Sequence, residues 1–128
     1  MELFLKAKDA TIYSYSPYSN FKVGCAIELK NGKFICGTNI ENISYGLSMC
    51  AERVTIFKAI SEGYDKDDIK AMAVYAETKD FVRPCGACLQ VLSELLNRDC
   101  KIYLLNKNLE SKEVTIEDLL PMGFNSLE

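Results

Sequence analysis

Histidine and tryptophan are both absent from the 128 residues, and proline occurs three times. Without histidine the chain lacks the usual side chain that titrates near neutrality and the commonest nitrogen ligand for a metal. Any acid–base chemistry must therefore fall to carboxylates, thiolates or a metal-held water. Apolar runs are short, far below the roughly 20 residues that a membrane span requires. The opening MELFLKAKDA is charged throughout and lacks the apolar centre of a signal peptide, so a cytoplasmic location is expected. No basic block stands out, and the net charge is −3. Nucleic-acid binders draw much of their affinity from phosphate neutralisation by Lys and Arg. A small, weakly charged ligand is the better expectation, with neither nucleic acid nor a membrane as partner.

What the chain does have is cysteine: Cys25, Cys36, Cys50, Cys85, Cys88 and Cys100. In a cytoplasmic protein such clustering points to metal or redox chemistry and away from disulfides. Length and composition, with 48% hydrophobic and 26% charged residues, suit a single globular domain over 1–128.

Residues 2–15 place Leu3, Ala7, Ala10 and Thr11 on one helical face ahead of Pro17. Phe21, Val23, Cys25, Ile27 and Leu29 then alternate with Lys22, Gly24, Ala26, Glu28 and Lys30, the period of a strand. Asn31-Gly32 is a strong hairpin signal and predicts an antiparallel return over 33–40. A helix from Cys50 to near Gly63 is expected to turn Cys50, Val54 and Phe57 to the core. IKAMAVYA reads as a central strand covered on both faces. Pro84 should open a helix whose buried face carries Cys88, Val91, Leu92, Leu95 and Leu96. KIYLL is another buried strand, and a short strand over 113–115 leads to a last helical turn capped by Thr115.

The resulting order, α-β-β-α-β-α-β-β-α, predicts an α/β fold with helices on both faces of one sheet. Only a short turn over 106–111 joins the last two strands. Parallel neighbours need a crossover of about a dozen residues, so these two should pair antiparallel.

Cys50 begins one predicted helix, and Cys85 and Cys88 bracket the first turn of the next. If those helices lie side by side, three sulfurs converge. Three thiolates with an open position suit a catalytic zinc site, whereas a structural site normally closes with a fourth ligand. Three thiolates on a divalent cation leave a net negative charge, which Arg53 and the positive ends of two helix dipoles would offset. Glu52 would stand beside a metal-held water, where a carboxylate can move a proton. Cys25, Cys36 and Cys100 read as small buried hydrophobes.

Alone, these residues have plainer readings. CGAC fits a thioredoxin-like redox pair, and another cysteine could close a structural zinc site. Glu52 and Arg53 could be a solvated helix face. Phe21 would be core, and Asn39 and Glu41 would be turn residues at a strand end.

Together, Cys-Ala-Glu at 50–52 and Pro-Cys-Gly-Ala-Cys at 84–88 resemble the signature of the zinc nucleoside deaminases. SPYSNFKVG, GTNIEN, FKAISEG and LLPMGF make the chain similar to the small homotetrameric cytidine deaminases over nearly its whole length. The resemblance implies a three-layer α/β/α sandwich around a five-stranded mixed sheet, in agreement with the predicted order. It implies one Zn²⁺ per chain held by Cys50, Cys85 and Cys88, Glu52 as proton shuttle, and Arg53 as the regulator of the thiolates' charge. Asn39 and Glu41 would bind the ribose hydroxyls, Phe21 the pyrimidine ring, and Ala51 would also contact substrate. Tyr45 and Phe124 would reach toward a neighbouring subunit's site. Leu89 stands where relatives often carry Arg, and is expected at a surface or interface. The implied reaction is hydrolysis of cytidine or deoxycytidine to uridine or deoxyuridine and ammonia. A related aminated nucleoside is the rival substrate.

Overall fold

The computed structural model describes residues 1–120. Its elements, in chain order, are α1 (Glu2–Ala10), β1 (Val23–Leu29), β2 (Phe34–Thr38), α2 (Ala51–Ser61), β3 (Ile69–Ala76), α3 (Gly86–Leu95), β4 (Lys101–Leu105), β5 (Ser111–Val114) and α4 (Ile116–Leu119). The strands form one mixed sheet in the order β2-β1-β3-β4-β5. β1 is antiparallel to both β2 and β3, β3 is parallel to β4, and β5 returns antiparallel to β4. The expected hairpin is present, with Gly32 at φ +90°, where a side chain would be strained. The antiparallel pairing of the last two strands also matches expectation.

This topology positions the site. β2 and β3 both run opposite to β1, so the chain leaves both at the same end of the sheet. The helices that follow, α2 and α3, therefore begin at that end and pack on one face, where α4 joins α3. α1 covers the other face. Two apolar cores result. The larger joins Cys25, Ile27, Leu29, Met72 and Val74 to α2, α3 and α4, and the smaller joins Ala26, Ala73 and Tyr75 to Leu3 and Ala7 of α1.

Helix packing is close enough to demand glycine at two strand positions. A Cβ on Gly24 would lie 1.9 Å from the Ala7 carbonyl oxygen, and one on Gly37 would lie 2.5 Å from Thr55 Oγ1. That is why β1, although it alternates in polarity, is covered on both sides.

Several local expectations need correction. α1 stops at Ala10 and tightens into a 3₁₀ turn over Thr11–Tyr13, where Thr11 Oγ1 donates to the Lys8 carbonyl at 2.6 Å. The buried face of α2 carries Ala51, Glu52, Thr55, Ile56 and Ala59, while Phe57 is 40% exposed. Small residues at Ala51 and Ala59 let the helix sit low on the sheet, which rotates Val54 and Phe57 outward. α3 starts at Gly86 with Cys85 as its N-cap, and its buried residues are Cys88, Leu89 and Leu92, continued by Leu96 just past its end. Leu89 thus belongs to the larger core and not to a surface, and Val91 and Leu95 pack only at its margin. Cys36 is half-buried on the edge strand β2, unlike the buried Cys25 and Cys100. β5 begins at Ser111, and Thr115 caps α4 through a reciprocal capping box with Asp118.

Candidate active site

The connection after β2 brings Cys50 to the N-cap of α2, and the loop after β3 brings Cys85 to the N-cap of α3. Cys88 lies one turn into α3 and is fully buried. The Cys50 and Cys85 sulfurs are 3.8 Å apart, and those of Cys85 and Cys88 are 3.3 Å apart. All three fall within 4.8 Å of one another. A tetrahedral zinc with bonds of about 2.3 Å spaces its sulfurs by about 3.8 Å, so this donor set fits that ion. Among the described residues no other group of cysteine or carboxylate side chains has this form.

Two N–H groups donate to the sulfurs. Cys88 N–H donates to Cys85 Sγ at 3.4 Å, and Arg53 Nη2 donates to Cys50 Sγ at 3.5 Å. The Cys50 thiol is held down to about 5, first by a hydrogen bond from Cys88 and then, against the cost of burial, by Arg53 and Cys85. The Cys88 thiol is pushed up by its interaction with Cys50 and by burial. A bound cation requires all three sulfurs as thiolates, because only thiolates ligate. Arg53 Nε is the one buried side-chain nitrogen or oxygen without a partner among the described residues.

Glu52, at the second position of α2, is 5% exposed. Burial raises its carboxyl to about 7, with a smaller push from Cys50 and an opposing pull from Arg53. A carboxyl poised near neutrality can both take and give a proton.

A cavity of about 490 Å³ opens beside this centre. It brings together Phe21, Asn39, Glu41, Tyr45, Cys50, Ala51, Glu52, Arg53 and Cys85, which the sequence had marked separately. Tyr45, expected to reach toward a neighbouring subunit, lines the cavity of its own chain and is 65% exposed. Phe124 lies outside the described residues. Val23, Val74 and Ala76 form an apolar wall, with Val23 paired to Ala76 across β1 and β3.

The polar residues at the far end of the cavity are tied to the segment between α1 and β1. Asn39 Oδ1 accepts from Ser14 Oγ at 2.6 Å and Val23 N–H at 3.1 Å, and its Nδ2 donates to the Phe21 carbonyl at 2.7 Å. Glu41 accepts from the Tyr18 and Ser19 amides, each at 3.1 Å, and from the Ser19 hydroxyl. The Ser19 hydroxyl bond, followed by these amides, holds its carboxyl below the usual carboxylate range.

Sequence reasoning gave no role to Ser19 or Arg83, both of which line the cavity. Arg83 carried a usable signal, standing directly before Pro84-Cys85. Ser19 carried none, since its partner is 22 residues away.

Three sulfurs at two helix starts, beside a buried carboxylate and an apolar-walled cavity, form a centre suited to a metal ion. The family model for the cytidine and deoxycytidylate deaminase zinc-binding region matches residues 1–104. A cytidine deaminase from Halalkalibacterium halodurans is 49% identical over 97% of this chain and 92% of its own length. One from Sporosarcina psychrophila is 42% identical over 97% and 90%. The crystal structure of a cytidine deaminase from Burkholderia pseudomallei superposes with a TM-score of 0.92 at 43% identity, covering 96% of this chain and 97% of that one. The chain belongs to the cytidine and deoxycytidylate deaminase family, and its metal is zinc.

Proposed function

We propose that the protein hydrolyses cytidine and deoxycytidine to uridine and deoxyuridine, with release of ammonia. The observation that carries this reading is Glu52, buried beside three converging sulfurs at the inner end of a nucleoside-sized cavity.

When bound at Cys50, Cys85 and Cys88, zinc supplies the Lewis acidity that makes water a nucleophile near neutral pH. Glu52 takes the proton that this water releases and delivers it to the pyrimidine N3, which leaves C4 electron-poor. As C4 gains oxygen, Glu52 takes the remaining hydroxyl proton and passes it to the exocyclic nitrogen. That nitrogen departs as ammonia and the C4 carbonyl forms. Carboxylate positioning of this kind is worth about 10²–10⁴-fold in rate. Arg53, bonded to Cys50 Sγ, drains negative charge from the thiolates.

Phe21 offers an aromatic face to the base, Ala51 a small surface beside it, and Asn39 and Glu41 polar groups to the sugar hydroxyls. In this reading one Zn²⁺ serves each chain, the enzyme works in pyrimidine salvage in the cytoplasm, and the chains assemble as a homotetramer. Tyr45 and Phe124 then complete neighbouring sites. Exposed Ile12, Tyr13, Tyr15, Ile43, Tyr45 and Leu47 are apolar side chains available to such contacts. No helix among the described residues is long and apolar enough to cross a membrane.

Ultraviolet monitoring of cytidine with metal-replete protein, with and without a zinc chelator, tests the activity. Conversion to uridine that the chelator abolishes is the expected result. Cytidine left intact by zinc-loaded protein would overturn the reading.

A further inference from the structure

The segment over 16–22 lends Ser19 and Phe21 to the cavity wall and buries few of its own side chains. Pro17, Tyr18, Ser19, Asn20 and Lys22 are exposed, whereas Glu41, onto which the segment folds, is 7% exposed. Asn20 holds a left-handed conformation at φ +57°, and its N–H donates to the Ser16 carbonyl at 2.9 Å, which closes a tight turn. The turn aims three donors at one carboxylate: the amides of Tyr18 and Ser19 and the hydroxyl of Ser19.

The Ser19 hydroxyl does more than donate. Its oxygen also accepts the Phe21 N–H at 3.0 Å. One Oγ therefore links the backbone of Phe21 to the carboxylate of Glu41, and all three residues line the cavity. Phe21 is independently held by Asn39 Nδ2 on its carbonyl, which leaves Ser19 as the tie on its amide side. Removing this hydroxyl takes one donor from a buried carboxylate and one acceptor from the Phe21 amide in a single step. Hydrogen bonds to charged groups are among the stronger ones, and a buried group that loses its partner carries the larger penalty.

We propose that Ser19 is a positioning residue: its hydroxyl, bonded at once to the Phe21 amide and the Glu41 carboxylate, fixes the distance between the two walls of the cavity. In the deaminase reading, on which this inference rests, those walls meet the base and the sugar. Ser19 touches neither the reacting carbon nor the metal ligands. Its loss weakens nucleoside binding while the chemical step proceeds at its usual rate.

The test uses zinc-loaded, full-length Ser19→Ala, Ser19→Thr and Glu41→Gln proteins and the Ser19→Ala/Glu41→Gln double variant. Ser19→Ala is expected to raise KM for cytidine about tenfold, with kcat within about twofold of wild type. Ser19→Thr, which keeps the hydroxyl at an exposed position, restores KM to within about threefold. In the Glu41→Gln background the alanine substitution adds no more than about twofold, because the two residues act as one unit. Backbone hydrogen exchange over 16–22, measured without substrate, speeds up about tenfold or more in Ser19→Ala and returns to normal in Ser19→Thr. An unchanged KM, an equal fall in kcat, full additivity with Glu41→Gln, or unaltered exchange would each overturn the proposal. Should wild-type protein leave cytidine intact, the deaminase reading falls by itself, and the exchange measurement still decides whether Ser19 holds the segment.

Discussion

Cys50, Cys85 and Cys88 gather at one end of the sheet, whereas Cys25, Cys36 and Cys100 are dispersed through it. The residue type is the same, and placement separates the two sets. The first three sit at or near helix N-termini, where backbone N–H groups and Arg53 stabilise thiolates. Cys25 faces apolar neighbours and Cys100 lies at a strand's entry, and burial pushes both thiols up, Cys100 to about 11. A lone thiol among apolar neighbours is a packing group, whereas three sulfurs within 4.8 Å of one another make a donor set for a metal.

Breaking either set should therefore give different losses. The largest effect is expected at Cys85→Ala, which should cut bound zinc to about a tenth or less and abolish detectable turnover. Cys25→Ala should keep its zinc and instead cost about 1–3 kcal/mol of stability. Elemental analysis and denaturant unfolding of the two proteins read both quantities, and a zinc-free Cys25→Ala protein that is still folded would erase the distinction.

Next in size is Glu52→Gln. The amide fills the same space but cannot move a proton, so kcat should fall by about 10²–10⁴-fold with zinc content unchanged. Turnover near the wild-type rate would remove Glu52 from the proton path. Arg53→Gln sharpens the comparison further, because it removes a hydrogen bond to the Cys50 sulfur without replacing a ligand. Zinc affinity should weaken by about 10–100-fold while circular dichroism stays that of the wild type. Competition with a chromophoric chelator measures this, and unchanged affinity would show that the helix ends suffice. Smallest of all should be Cys36→Ser, half-buried on the edge strand, within about 0.5 kcal/mol of wild-type stability by thermal unfolding.

Features that depend on local rules were legible in the sequence. Asn31-Gly32 made the hairpin, alternation made β1, and the short connection between β4 and β5 forced them antiparallel. The two cysteine motifs could be placed at helix starts because each follows a strand. What escaped depends on packing at long range. The face that α2 buries is set by the close approach of Ala51, Thr55 and Ala59 to the sheet, and hydropathy gives Thr55 and Glu52 no mark of burial. Leu89 is core because it shares with Cys88, Leu92 and Leu96 the face that packs into the larger core, a choice of face that tertiary packing makes. Ser19 is a loop serine like any other until the fold sets Glu41 beneath it.

The central claim is that three sulfurs hold zinc and leave one position for water. X-ray absorption at the zinc edge, on protein purified with its metal, tests it most directly. Three sulfur scatterers at about 2.3 Å and one oxygen at about 2.0 Å are predicted. A shell of four sulfurs, or zinc without sulfur neighbours, would contradict the account.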